Sequence, residues 1–185
     1  MKKSKILTSR SISRGKAQKG FTLIETLVVM IVGIVILAAA AAGIGKLFRA
    51  SEITEEAANL VQLRTQLDSL NSYGGYKGIT NAVAIKFKAI PTNMSVKDNK
   101  ISNIWGGDVV LGSAQSGRNV YIDYHKVPAD ACQQLVLKLA NAGWAHININ
   151  NQTISATPTL KDIGKRCEDG GDNNMVTFVT GNAKM

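Results

Sequence analysis

The sequence predicts an α+β fold, a long N-terminal α-helix packed on a mainly antiparallel β-sheet. Three observations carry that prediction. An uncharged apolar run passes directly into an amphipathic helical pattern, with no proline before Pro91. Short β-rich runs punctuated by glycine, asparagine and serine follow it to the C-terminus. Between two of those runs lies one strong short-helix pattern. Hydrophobic residues make up 45% of the 185 and charged residues 19%, enough for a core and too apolar for wholesale disorder.

Charge divides the chain sharply. The formal net charge is +9, yet Lys2, Lys3, Lys5, Arg10, Arg14, Lys16 and Lys19 all precede Phe21, with no carboxylate among them. From Phe21 onward the balance is only +2. The basicity belongs to a leader covering residues 1–20, and no direct contact with nucleic acid is expected.

Residues 26–45 contain no charge. As a helix they span about 30 Å, the thickness of a bilayer core. The cations ahead of them hold the N-terminus in the cytoplasm and send the rest outward. A cleavable secretory signal, with Ala38–Ala42 as peptidase site, would have a shorter apolar core. A plain anchor leaves Glu25 unexplained, a carboxylate at the edge of the apolar run and costly there unless paired.

Lys19-Gly20-Phe21-Thr22-Leu23-Ile24-Glu25 before an apolar run resembles the type III signal of type IV pilins. The resemblance implies cleavage between Gly20 and Phe21 by a prepilin peptidase, N-methylation of Phe21, and an assembly role for Glu25. The new amine of one subunit would meet the Glu25 carboxylate of a neighbour, relieving two desolvation costs together and setting axial register. The alternative is that Glu25 serves only its own helix, near the positive end.

Beyond the apolar segment, 21–45, the helix continues amphipathically over 46–73. Ile53, Ala57, Leu60, Leu63, Leu67 and Leu70 share a face, while Glu52, Glu55, Glu56, Arg64 and Asp68 are expected mostly on the other. Gly74-Gly75 reads as the stop, so the helix should run from about Phe21 to about Tyr73. The amphipathic half can pack on its own domain. The apolar half has no partner there, so it needs lipid or other subunits; Gly33, Gly43 and Gly45 are the points where it can loosen.

Residues 74–185 form the head. Strands are expected at Val109–Leu111, Val120–Tyr124, Ala145–Ile149 and Met175–Val179. A helix follows Pro128 with Cys132, Leu135, Leu139 and Ala142 on one face and ends at Gly143. A weaker one covers Leu160–Arg166, with Cys167 just after it. Residues 74–104 give no clear pattern. After export Cys132 and Cys167 should pair; the resemblance makes 132–167 the exposed disulfide-bounded region. The leader length, Trp105-Gly106-Gly107 and Ala131-Cys132 are similar to the type IVb subclass, which includes thin-pilus pilins of conjugative systems. Phe21 is the choice more usual in type IVa.

No catalytic motif appears and no cofactor is expected. His125 and His146 lack ligand partners at metal spacing, and Glu168–Asn174 reads as a solvated turn rather than a calcium loop. Trp105 and Trp144 suit the core or the sheet rim. The expectation is a non-enzymatic type IV prepilin, most simply the major pilin, anchored once in the inner membrane and then polymerised with itself into an extracellular pilus. Its family partners would be an assembly ATPase, an inner-membrane platform and a secretin. A minor pilin or type II secretion pseudopilin is the alternative. A tethered periplasmic binding domain that never polymerises is the further one.

Overall fold

The computed structural model describes residues 22–71, 75–154 and 158–180. The chain divides into two compact units between Ile44 and Gly45. Helix α1 runs over Leu23–Ser69, 47 residues. The helix stops at Ser69, four residues short of the expected end at Tyr73, with Leu70 and Asn71 already turning out of it through bonds to the Leu67 and Asp68 carbonyls. Phe21, Tyr73 and Gly74 lie outside the described residues. In the first unit α1 has a window of mean hydropathy 2.9, none of it buried. That composition and length suit a membrane span.

In the second unit the rest of α1 lies on a sheet. The elements after it are α2 (Asn81–Lys86), β1 (Ser95–Lys97), β2 (Lys100–Ser102), β3 (Asp108–Ala114), β4 (Asn119–Val127), α3 (Ala129–Leu139), β5 (His146–Ile149), β6 (Gln152–Thr153), α4 (Leu160–Asp169) and β7 (Asn174–Val179). The sheet has seven strands in the order β1-β2-β3-β4-β7-β5-β6. Every neighbouring pair is antiparallel. Because β4 and β5 both pair antiparallel with β7, they run parallel to each other, and α3 is the crossover that joins them.

Two hairpins turn through pairs of left-handed residues, Asp98-Asn99 (φ 50° and 61°) and Asn150-Asn151 (φ 50° and 63°). Asp and Asn tolerate that region best after glycine, and a two-residue turn with both φ positive matches the strand twist. The four expected strands are present as β3, β4, β5 and β7. Helix α3 follows Pro128, and its Cys132, Leu135 and Leu139 are buried; it ends at Leu139, so the expected Ala142 and the stop at Gly143 lie beyond it. The elements α2, β1 and β2 fall in the stretch 74–104 that gives no clear pattern, and β6 has only two residues.

Two expectations are corrected. Cys167 lies inside α4, which continues to Asp169. Thr159 caps that helix at its start, its hydroxyl oxygen accepting from the Asp162 amide at 3.2 Å, and the helix runs three residues past Arg166, stopping at Gly170. Glu56 does not occupy the solvent face of α1; it is 2% exposed and points into the second unit. The core around it comprises Ile53, Leu60, Leu63 and Leu67 from α1, Val120, Ile122 and Tyr124 from β4, Leu135 and Leu139 from α3, and Val176 and Phe178 from β7.

The expected Trp105-Gly106-Gly107 turn is held by Asn103. The Asn103 Oδ1 accepts the amides of Trp105 (3.1 Å) and Gly107 (2.8 Å), and its Nδ2 donates to the His125 carbonyl at 2.8 Å. A Cβ on Gly107 would stand 1.8 Å from that carbonyl oxygen. Gly107→Ala is therefore expected to cost about 1–3 kcal/mol or more, because backbone must move to admit the methyl. Thermal melting at matched pH measures it, and an unchanged midpoint would contradict this packing.

Candidate functional site

At the start of α1, Thr22 and Glu25 form a reciprocal cap. The Thr22 amide donates to Glu25 Oε2 at 2.8 Å and the Thr22 hydroxyl donates to the same oxygen at 3.0 Å. The Glu25 amide faces Thr22 Oγ1 at 3.4 Å. This is a capping box, in which a hydroxyl and a carboxylate three residues on satisfy helix-end donors that have no partner within the helix. In the isolated chain Glu25 thus has a local partner. Gly20 and Phe21 lie outside the described residues.

From Leu23 to Phe48 every large apolar side chain is half or more exposed, Leu23 reaching 87% and Met30 72%. Each such side chain costs about 1.5–3 kcal/mol when left in water rather than buried. A surface of that extent is stable only in lipid or against like surfaces. Nothing lies within 4 Å of where a Cβ would stand on Gly33, Gly43 or Gly45, so no packing contact requires glycine there.

Within the second unit, polar groups pin α1 to the sheet and to α3. Glu56 Oε1 accepts the Ile104 amide at 2.7 Å and Oε2 accepts the Tyr124 hydroxyl at 3.0 Å. Burial pushes the Glu56 carboxyl above the usual carboxylate range, outweighing those hydrogen bonds. Burial, and then the Glu56 charge, push the Tyr124 phenol well above its ordinary value. Two turns further along, the Arg64 guanidinium donates to the Ala142 carbonyl and lies 5.1 Å from the Trp144 ring centre. Asp68 accepts the Tyr76 hydroxyl at 2.8 Å. Burial first, and then Asp68, push the Tyr76 phenol up to about 12. Arg49 pairs with Asp130 at the start of α3, 3.1 Å away.

Cys132 on α3 and Cys167 on α4 form a disulfide, their Cα atoms 5.8 Å apart and both residues fully buried. It joins two helices and encloses β5 and β6. Trp144, half-buried, packs on Phe178 at 5.2 Å between ring centres. His125 and His146 are half-buried on β4 and β5. Among the described residues no group of three or more His, Cys, Asp or Glu is arranged to hold a metal ion. In the 168–174 segment Asn174 is wholly buried: its Nδ2 donates to the Val127 and Gly171 carbonyls, and its Oδ1 accepts from Asn150.

The structure therefore places the expected assembly residue at one end of an unpartnered apolar helix and the expected cysteines together in the second unit. Sequence reasoning missed Glu56, Asn103 and the Asn150–Asn174 pair. For Glu56 a signal existed: it stands three residues after Ile53 and four before Leu60, on the buried stripe itself. Asn103 carries a local one, an asparagine accepting the amide two residues on at the head of a turn. Asn150 and Asn174 carry none, because they bond to each other across 24 residues of chain.

Comparison with known proteins agrees with this arrangement. The family described as PilS N terminal matches residues 50–181, and the prokaryotic N-terminal methylation motif matches residues 15–41. Among curated proteins no match was found. A crystal structure of type IVb pilin from Salmonella typhi superposes with a TM-score of 0.58 at 21% identity, covering 70% of this chain and 99% of that one. A solution structure of type IVb pilin (PilS) from the same organism gives a TM-score of 0.45 at 23% identity, covering 69% and 94%. With more than two-thirds of its length matched by the family model and the methylation motif at its N-terminus, the chain belongs to the PilS family, and its fold is similar to that of the type IVb pilin from Salmonella typhi.

Proposed function

We propose that this pilin is made as a single-pass inner-membrane precursor, cut between Gly20 and Phe21, methylated on Phe21 and polymerised as the major subunit of an extracellular pilus. The domain scheme that goes with it is a removed leader (1–20), a membrane and filament-core helix (21–45), its amphipathic continuation (46–73) and the head (74–185). One observation carries the proposal: an apolar helical surface from Leu23 to Phe48 that the described residues leave uncovered, beside a methylation motif. Lipid covers that surface before assembly, and copies of itself cover it afterwards. A prepilin peptidase is the processing partner; an assembly ATPase, a membrane platform and a secretin would drive extrusion. The fibre would serve contact between cells, by adhesion, aggregation or conjugative mating, and the chain performs no catalysis.

The test is intact mass and N-terminal sequence from native cells. A chain beginning at N-methylated Phe21, found as the main component of isolated fibres, supports the proposal. A chain beginning near Ala40, or an uncut Met1, overturns it. Within this scheme the Thr22–Glu25 cap is exchanged, at least in part, for the amine of a neighbouring subunit. Glu25→Ala is expected to cut fibre yield at least about tenfold, the equivalent of about 1.4 kcal/mol in an assembly equilibrium, while leaving cleavage and head folding intact. Quantifying sheared fibres against total pilin checks this; normal yield and register would reject the pairing.

A further inference from the structure

The Glu56 cluster has a property that family membership leaves unassigned. Its carboxylate is buried between α1, the turn after β2 and strand β4, where its partners are neutral: the Ile104 amide, the Tyr124 hydroxyl and the buried Asn59 side chain of its own helix. The cleft beside it is lined by Glu55, Asn93, Ser95, Ser102, Asn103 and Ile104. On its own helix the neighbouring charges are Glu52 and Glu55, and Glu55 is engaged by Asn93 Nδ2 at 3.1 Å. From β4 the group facing it is Tyr124, and the turn presents amides and Asn103. Lys97 and Lys100 on the β1–β2 hairpin are exposed, and among the described residues no ion pair reaches Glu56.

A carboxylate held this way bears the cost of its burial without a countercharge. Protonation removes that cost and loses little in return. The neutral acid still accepts the Ile104 amide on one oxygen, and the Tyr124 hydroxyl can turn from donor to acceptor for the new O–H. We infer that Glu56 is a proton-operated latch between α1 and the sheet, which holds the head more firmly as the surroundings acidify.

The direction follows from linkage. Burial raises the folded carboxyl above its unfolded value, so the folded state binds the proton more strongly. That contribution is complete below the unfolded value of about 4.3 and is lost as pH rises through the higher folded value. Most exposed carboxylates act the other way or not at all, so the latch offsets part of the ordinary acid destabilisation.

The test uses full-length chain in detergent micelles, with the melting of the β-rich head followed between about pH 8 and about pH 5. Glu56→Gln keeps both hydrogen bonds, Oε1 accepting the Ile104 amide and Nε2 donating to the Tyr124 oxygen, but cannot ionise. It is expected to melt higher than the parent at the alkaline end, with the gap closing toward the acid end. Parallel Tm profiles would overturn the latch. Titration of the Glu56 side-chain carboxyl by 13C NMR in the parent protein provides a second readout that needs no variant. A midpoint above the ordinary glutamate value supports the inference, and one at or below it overturns it. Tyr124→Phe removes one hydrogen bond to the charged form and is expected to move that midpoint further up; an unmoved midpoint would dissociate Tyr124 from the latch.

Discussion

Replacing both bridging cysteines (Cys132→Ala with Cys167→Ala) is expected to lower the stability of the head by about 4 kcal/mol. The bridge spans a sequence separation of 35 residues, and closing a loop of that size removes about this much chain entropy from the unfolded state. A domain of ordinary stability has about 5–15 kcal/mol in total, so the variant would keep its fold only narrowly. The loss should concentrate where the bridge acts, in α4 and in β5 and β6, which it encloses. Strands β3 and β4, paired along six positions from Val109–Tyr124 to Ala114–Asn119, should open last. Denaturant unfolding of the parent with and without reductant, beside the double variant, measures the effect. Hydrogen exchange resolves its location. A reduced parent as stable as the oxidised one would show that the bridge does not constrain the unfolded chain.

Phe178→Ala is expected to have an effect of the same size, about 3–5 kcal/mol, for a different reason. Phe178 is fully buried on β7, between β4 and β5 in the sheet. Its ring meets Tyr124 edge-on at 6.4 Å and Trp144 at 5.2 Å. Removing it leaves a cavity beside the Trp144 ring, over which the Arg64 guanidinium of α1 lies. Phe178→Leu, which keeps most of the volume, should cost much less. Equal losses for the two variants would mean that the aromatic contacts, rather than the filled volume, stabilise this region. Because the loss is in the second unit, leader cleavage should continue while the yield of fibre falls with the stability of the head.

Both effects involve residues that stand out along the chain to different degrees. Two cysteines in a chain expected to be exported announce a bond. Phe178 was readable only as one apolar residue in a β-rich run, with nothing to mark it as the centre of an aromatic cluster. Glu56 shows the limit more clearly: its place on the Ile53–Leu60 stripe can be read from the sequence, but not the groups that satisfy a carboxylate there. Those groups include a phenol and an amide presented at the right place by β4 and the turn after β2, respectively 68 and 48 residues away. The three-residue strands β1 and β2 were unreadable for a related reason. Segments that short carry no period, and they exist because β3 offers an edge to pair with.

The features legible along the chain alone are local or compositional. The basic leader, the apolar run with its embedded carboxylate, the helix face Ile53–Leu60–Leu67, the helix after Pro128 and the four longer strands are each written in a few neighbouring residues. The roles proposed for residues 20, 21 and 25 are legible because their signal is a short stretch of neighbouring residues beside an apolar run. Long-range contacts settled the rest: the order of seven strands, the parallel relation of β4 and β5 across β7, the partners that satisfy buried Glu56, and the Asn150–Asn174 pair. In each of these the partners lie far apart in the chain, and each partner's environment exists only once the other is in place.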